Sequence, residues 1–258
     1  MYWNKRSDEV LVYMKSDVNT EKINIKILLD TLLQMDNNTV FYFVTSSFSI
    51  DIIKKLIING FSIYLQRNYI NKYNKKWFWD DKYHNKKYVY SKLMLQGRIY
   101  SKFTILNLKN VHEPKSALKL IEKYELKFNN DFDKIIDKCS EIHGDNWLNE
   151  KMRNIYKKLY REKETAFKMV SFALYRNGEI KAGEFGCIIG KMYISYSGYH
   201  EESSAGTVQL LKMFRYLKEN GVIYCDLGPA SEKFKYKYRF GAIDLDRNEY
   251  FKLFFNQI

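Results

Sequence analysis

The sequence predicts a mixed α/β (α+β) protein in two parts. A smaller mixed domain covers residues 1–125, and a domain over 126–258 has a core of three antiparallel strands, a helix and a returning strand. Three observations lead there. Residues 170–197 form apolar, alternating runs broken by Asn177-Gly178 and Gly190-Lys191, pairs that favour tight hairpins. Residues 205–219 repeat apolar positions at helical spacing and stop at Asn220-Gly221, with a buried run over 222–227 directly after. With 46% hydrophobic and 17% aromatic residues in 258, the chain can close a core and is not a disordered basic tail.

From the N-terminus, Ile23, Ile27, Leu28 and Leu32 predict a helix over 21–33 that Asp36-Asn37-Asn38 breaks, and 40–44 reads as a short buried strand. Ser49 caps a helix over 50–58, closed by Asn59-Gly60. Between 69 and 92, lysines such as Lys72, Lys75 and Lys76 interleave with Tyr73, Trp77 and Trp79. Two readings stand there: lysines on phosphates with rings on unpaired bases, or a solvated loop anchored by its tryptophans. A strand over 99–108 and a proline-opened helix over 114–123 come next. Asp131 starts a helix with Phe132, Ile135, Ile136 and Cys139 inward. Asn149 caps another, to about 163, with Met152, Ile155, Tyr156 and Leu159 on one face and Lys151, Lys157, Lys158 and Arg161 on the other. The hairpins, helix and last strand then follow in the order used by the acetyltransferase-like fold.

Lys+Arg number 43 against 30 Asp+Glu, a net +13. AT-rich coding would raise lysine, but glutamate with it, so the surplus points to a polyanion partner. No apolar run reaches eighteen residues, and residues 1–6 lack a secretory pattern, so neither a membrane span nor a signal peptide is expected. Cys139, Cys187 and Cys225, like the four histidines, show no metal spacing, and a reducing cytosolic setting is expected.

The run Phe132-Asp133-Lys134-Ile135-Ile136-Asp137-Lys138-Cys139, then Asn146-Trp147-Leu148, Ile155-Tyr156-Lys157-Lys158-Leu159, Ala182-Gly183-Glu184-Phe185-Gly186, Ser195-Tyr196-Ser197, Ile223-Tyr224-Cys225-Asp226 and Phe240-Gly241-Ala242 resembles the leucyl/phenylalanyl-tRNA-protein transferases in order and spacing. Asn59-Gly60-Phe61-Ser62-Ile63-Tyr64 is fainter and lacks the family's tryptophan. The resemblance implies transfer of an amino acid from charged tRNA to the α-amino group of a protein, marking it for degradation, with no cofactor because the ester supplies the driving energy; the sequence sets no oligomeric state, and a monomer is the default expectation. It implies Asp226 as the carboxylate that orients the amine, Trp147 and Tyr156 near the terminal adenosine, and a donor side-chain pocket at Glu184, Cys187 and Ile194.

Departures from the family matter as much. Gly228 stands where the family has a glutamine, and Ser195-Tyr196-Ser197 replaces Gly-Glu-Ser, so either Asp226, Tyr196 or the ribose hydroxyl handles the amine proton or the activity is altered. Glu184 replaces a methionine. Facing inward it would pair with a guanidinium and favour an arginine donor; facing outward it would leave the leucine or phenylalanine donor in place. Residues 232–239 alternate Lys233, Lys235, Lys237 and Arg239 with Phe234, Tyr236 and Tyr238. They read as an edge strand whose basic face, with Lys157 and Lys158, holds the tRNA backbone. A coenzyme-A acetyltransferase is disfavoured by the acidic 199–207 loop with its single glycine. A peptidoglycan-type aminoacyltransferase and a non-catalytic tRNA-binding protein of the same fold remain as rivals.

Overall fold

The computed structural model describes residues 2–6, 9–14, 33–34, 40–45, 48–71, 77–78, 89–144, 147–162 and 166–258. The chain divides into two compact units, Met1–Ile99 with Asp145–Met152, and Tyr100–Gly144 with Arg153–Ile258. The division therefore falls at 99/100, not at 125/126. It passes through the segment expected to be one strand over 99–108, because Tyr100-Ser101 separates two strands there.

In the first unit, β1 (Tyr2–Arg6), β2 (Glu9–Met14), β3 (Val40–Thr45), β4 (Ser62–Asn71), β5 (Trp77–Phe78) and β6 (Val89–Ile99) form one sheet in the order β1-β2-β3-β6-β4-β5. Helix α1 (Ile50–Ile58) starts as expected at Ser49, whose hydroxyl accepts the Asp51 N–H at 3.2 Å. Its spacing turns Ile52, Ile53, Leu56 and Ile57 inward, worth roughly 2 kcal/mol for each buried side chain. The helix expected over 21–33 lies outside the described residues, apart from Leu33. So does most of the lysine-aromatic stretch; Trp77 and Phe78 pair with Ile70 and Tyr69.

In the second unit, β7 (Lys102–Asn107), β8 (Glu125–Phe128), β9 (Lys168–Arg176), β10 (Glu179–Ile189), β11 (Met192–His200), β12 (Tyr224–Pro229) and β13 (Ile243–Asp246) form a seven-stranded sheet, β13-β7-β12-β11-β10-β9-β8. The β9–β10 turn is the expected one: Asn177 and Gly178 have φ of 52° and 81°, both positive as a type I′ turn demands. The proline-opened helix is shorter than expected, α2 (Lys115–Leu118) and then a 3-10 turn, Ile121–Lys123. Helix α3 (Phe132–His143) presents Phe132, Ile135, Ile136 and Cys139 inward, and α4 (Glu150–Arg161) starts where Asn149 accepts the Met152 N–H at 3.2 Å.

Helix α5 (Ala205–Glu219) buries Val208, Leu211, Phe214 and Leu217 in one cluster with Phe172, Leu174, Ala182, Tyr193, Cys225 and Leu227. Helix α6 (Arg247–Phe255) opens on a capping box between Asp246 and Glu249 and buries Tyr250, Phe251 and Phe254. Among the described residues no helix is long and apolar enough to cross a membrane.

Two features shape the centre of this sheet. Parallel strands β11 and β12 pair only over Met192–Ile194 and Tyr224–Asp226 and then part, leaving a gap at the end of β12. Next to it the β10–β11 register jumps at Phe185/Gly186, so Tyr196 is an extra residue on β11. Bulges of this kind re-aim side chains, and here the backbones come very close. A Cβ on Gly186 would run into the Ile194 carbonyl oxygen. Gly186→Ala is therefore expected to lose about 3 kcal/mol of stability, read as a lowered urea midpoint at unchanged m-value.

Candidate active site

Strand alternation and the bulge sort the expected site residues onto two faces of the second unit's sheet. Asp226 ends the part of β12 that pairs with β11 and is 4% exposed. Its Oδ1 accepts the Gly228 N–H at 2.8 Å and its Oδ2 accepts the Tyr250 hydroxyl at 2.8 Å. Burial pushes its carboxyl up, opposed by those two hydrogen bonds and by the nearby Lys237 charge. Gly228, with φ of 91°, makes the turn that aims its own N–H back at the carboxylate, a conformation that favours glycine.

Cys187 and Tyr196 share the Asp226 side. The Tyr196 hydroxyl lies 3.1 Å from the Cys187 sulfur, and Asp226 is within electrostatic reach of Cys187. Tyr196 also packs on Tyr156, their rings 5.3 Å apart, and burial pushes its phenol well above the usual range, so it stays protonated. Burial likewise pushes the Cys187 thiol up to about 12, leaving it an inert apolar wall.

Glu184 points to the other face, toward α5. It is 5% exposed, and its Oε1 accepts the Tyr193 hydroxyl at 3.0 Å. Ser195 and Gln209 lie near enough to favour the charged carboxylate, and Cys225 lies within its field. Burial pushes this carboxyl up as well, the hydrogen bonds and Lys237 working against it. The outward-facing alternative for Glu184 is thereby corrected. The expected three-residue pocket is corrected too: Ile194 directly pairs with Asp226 and Cys187, so it alternates away from Tyr193 and the Glu184 side.

The tail differs most from expectation. Glu232–Phe240 is 3-10 helical with a kink at Phe234, not an edge strand. After the kink, three residues per turn put Lys237 and Phe240 on one buried side, so Lys237 leaves the row it would share with Lys235 and Arg239 in a strand. Lys237 is 8% exposed; its ammonium donates to the Leu227 carbonyl and sits 4.2 Å from the Phe234 ring centre. A buried lysine cannot hold a tRNA backbone phosphate, so that assignment is corrected.

The remaining basic candidates are spread out. Lys157 bonds both Asp137 oxygens at 2.8 and 2.7 Å, which ties up its charge. Lys158 is exposed, 3.9 Å from Glu162, and Lys235 is exposed and paired with Glu232. The Lys233 side chain lies outside what is described. Arg239 lines an open cavity of about 660 Å³ with His112, Lys115 and Ser116. Tyr156 is fully buried against Phe185 and Tyr196, which leaves no ring face for a stacked base and corrects that expectation. Trp147 belongs to the first unit, half-buried, its ring 5.6 Å from Tyr64.

Tyr250 and the inward role of Lys237 were missed by the sequence reading. Asp246-Arg247-Asn248-Glu249 before an aromatic-rich run is a capping-box signal that would have revealed α6 and so Tyr250. Among the described residues no group of three or more His, Cys, Asp or Glu could hold a metal ion.

The family model described as leucyl/phenylalanyl-tRNA protein transferase matches residues 105–254, more than half of the chain and the stretch that carries both Glu184 and Asp226. The chain belongs to this family. Similar members include the leucyl/phenylalanyl-tRNA–protein transferase of Campylobacter jejuni subsp. doylei, 27% identical over 150 residues, 58% of this chain and 66% of that one. That of Pseudomonas putida is 27% identical over 128 residues, 48% and 55% of the two chains. The chain thus spans just under two thirds of the length of the first of these relatives. A solved structure of FemX covers 95% of this chain and 81% of its own, at 12% identity and a TM-score of 0.47, too distant to carry an argument. The acetyltransferase-like assignment rests on the strand order: antiparallel β9, β10 and β11, then α5, then β12 parallel to β11.

Proposed function

We propose that this protein moves an amino acid from aminoacyl-tRNA to the N-terminal α-amino group of an acceptor protein. The observation that carries the reading is Asp226, a buried carboxylate fixed by two hydrogen bonds where β11 and β12 part, within a family named for this transfer.

The reaction is aminolysis of an ester. The neutral amine attacks the ester carbonyl, a C–N bond forms, the C–O bond to the tRNA ribose breaks, and the amine's proton must leave while the ribose oxygen gains one. Asp226 orients the amine and takes its proton. Burial raises this carboxyl toward the working pH and so makes it a better base than an exposed aspartate. The Tyr250 hydroxyl and Gly228 N–H keep the acceptor oxygens aimed. Tyr196, held protonated on the same face, is the group positioned to donate a hydrogen bond to the developing oxyanion.

For the donor we propose a cationic side chain, arginine, read by Glu184. A buried carboxylate beside a leucine side chain gains nothing from it, whereas a guanidinium pairs with two oxygens at once. The surplus of positive charge supports a tRNA partner, and Arg239 with Lys115 and His112 is the group best placed for its phosphates. Use of charged tRNA fits a cytoplasmic setting, and the added residue would mark the acceptor for degradation.

The test is a transfer assay with tRNA charged separately with labelled arginine, leucine or phenylalanine and peptides differing at the first residue. Label from arginyl-tRNA is expected. Label only from the leucyl or phenylalanyl donors would overturn the donor assignment. No label from any donor, with tRNA still bound, would leave a non-catalytic tRNA-binding protein.

A further inference from the structure

Aromatic side chains make up 17% of this chain, and most of those described are at least partly covered. Among the described residues four are exposed, and three of these, Phe234, Tyr236 and Tyr238, fall within five residues. The segment that carries them, Glu232–Phe240, has no aliphatic residue; its rings alternate with Lys233, Lys235, Lys237 and Arg239. Past the kink at Phe234, Lys237 and Phe240 turn inward, which leaves Lys235, Tyr236, Tyr238 and Arg239 facing out.

This outward face is fixed close to Asp226. The segment follows β12 directly, and the Ala230 N–H bonds the Lys102 carbonyl at 3.2 Å. In its middle the Lys237 ammonium donates to the carbonyl of Leu227, the residue after Asp226, and at its end the Phe240 carbonyl accepts the His112 N–H at 2.9 Å. Tyr238 is held from the side, its hydroxyl donating to the Asp244 oxygens at 2.9 and 3.0 Å. Phe234 rests against the Lys237 ammonium and stands edge-on to Tyr236, ring centres 6.4 Å apart at 85°. The rings are anchored and yet 37%, 47% and 37% exposed in chain order, a cost in water that a ligand covering them would recover.

The residue types say which ligand. Protein-binding surfaces are poor in lysine, whereas here a cation stands between each pair of rings. Unpaired nucleotides need both, because each base has a π face to stack and each sugar carries a phosphate. A duplex offers no such face, since its bases cover one another. The acid on this surface, Glu232, pairs with Lys235 in solvent, a weak contact that a phosphate can displace. Beyond Tyr238 the surface runs into the cavity lined by His112, Lys115 and Arg239, so a strand that crosses the rings meets further cations.

We propose that Phe234, Tyr236 and Tyr238 stack the unpaired nucleotides at the 3′ end of charged tRNA, with Lys235 and Arg239 on their phosphates, and so lead the ester to Asp226. This rests on the aminoacyl-transfer reading of the same site. It gives this segment the stacking role that the buried Tyr156 does not fill.

The experiment compares binding of intact tRNA with the same tRNA trimmed back to its acceptor-stem duplex, using the full-length protein. Trimming is expected to weaken wild-type binding at least about 30-fold. The double variant Phe234→Ala, Tyr236→Ala should lose about as much toward intact tRNA and nothing toward trimmed tRNA, with a melting temperature near that of the wild type. Tyr236→Phe should bind as the wild type does, and Tyr236→Leu, which keeps apolar surface without a π face, should bind more weakly. Lys235→Gln with Arg239→Gln should lower the slope of log affinity against log salt by about 1.4, the share of two single-strand phosphates. A double alanine variant that still favours intact tRNA as strongly as the wild type would overturn the proposal, as would one that loses equally toward both tRNAs. A wild-type protein that binds both tRNAs but transfers no label would overturn the transfer reading, while the trimming comparison would still decide the role of the rings.

Discussion

Asp226→Asn is expected to lower the rate of transfer by about 10²–10⁴-fold while tRNA binding stays within twofold of wild type. The asparagine side chain keeps an oxygen for the Gly228 N–H, so the turn at the end of β12 persists. What it loses is the ability to accept a proton from the amine. Its amide also faces the Tyr250 hydroxyl, which can accept where it formerly donated. The fold should therefore survive, and a circular-dichroism melt within a few degrees of wild type is the control. The loss should appear in kcat rather than KM, because the carboxylate acts on the proton as the C–N bond forms and not on the tRNA. A variant that retained half of the wild-type rate would remove Asp226 from the chemistry and turn attention to the ribose hydroxyl as the proton acceptor.

What the sequence made legible was local. Asn177-Gly178 needs only its own two positive φ angles to turn a chain back, and α5 needs only its own apolar spacing and the stop at Asn220-Gly221. The face of the sheet on which a residue lands was not legible, because β9, β10 and much of β11 are buried on both sides and no polar face marks the alternation. Hence Glu184 and Cys187 were placed in one pocket although their separation of three sends them apart. The bulge at Tyr196 depends on the partner strand and leaves no trace in β11 alone.

The 232–239 tail shows the limit most clearly. Its strict alternation of basic and aromatic residues has the period of a strand, yet the folded segment winds at three residues per turn after Phe234 and buries Lys237 and Phe240, a choice set by what the segment packs on and not by its own pattern. Asp226 was recognisable from its place at a strand end within a family pattern. Tyr250, which aims it, comes from α6, whose mark in the sequence is the capping box at Asp246 and Glu249.

Glu184→Met should reverse the choice of donor. Transfer from arginyl-tRNA is expected to fall by at least about 30-fold, the loss of one buried ion pair to a guanidinium, and transfer from leucyl-tRNA to rise. Unchanged arginine transfer would sink the pocket argument, whatever happened to leucine. The isosteric Glu184→Gln separates selection from folding through its pH dependence. Burial raises the Glu184 carboxyl above its value in the unfolded chain, so the native state binds that proton more tightly. The stability linked to this group is therefore fully present below the ordinary carboxylate range and is lost as the pH rises through the raised native value. Urea midpoints measured from pH 4 to pH 8 should fall more steeply for the wild type than for Glu184→Gln, which has no proton to release. Parallel curves would mean that the native protein has already compensated the charge through Lys237 and the Tyr193 hydroxyl. The pocket would then accept an uncharged donor side chain, and the leucine and phenylalanine of the family would again be the expected cargo.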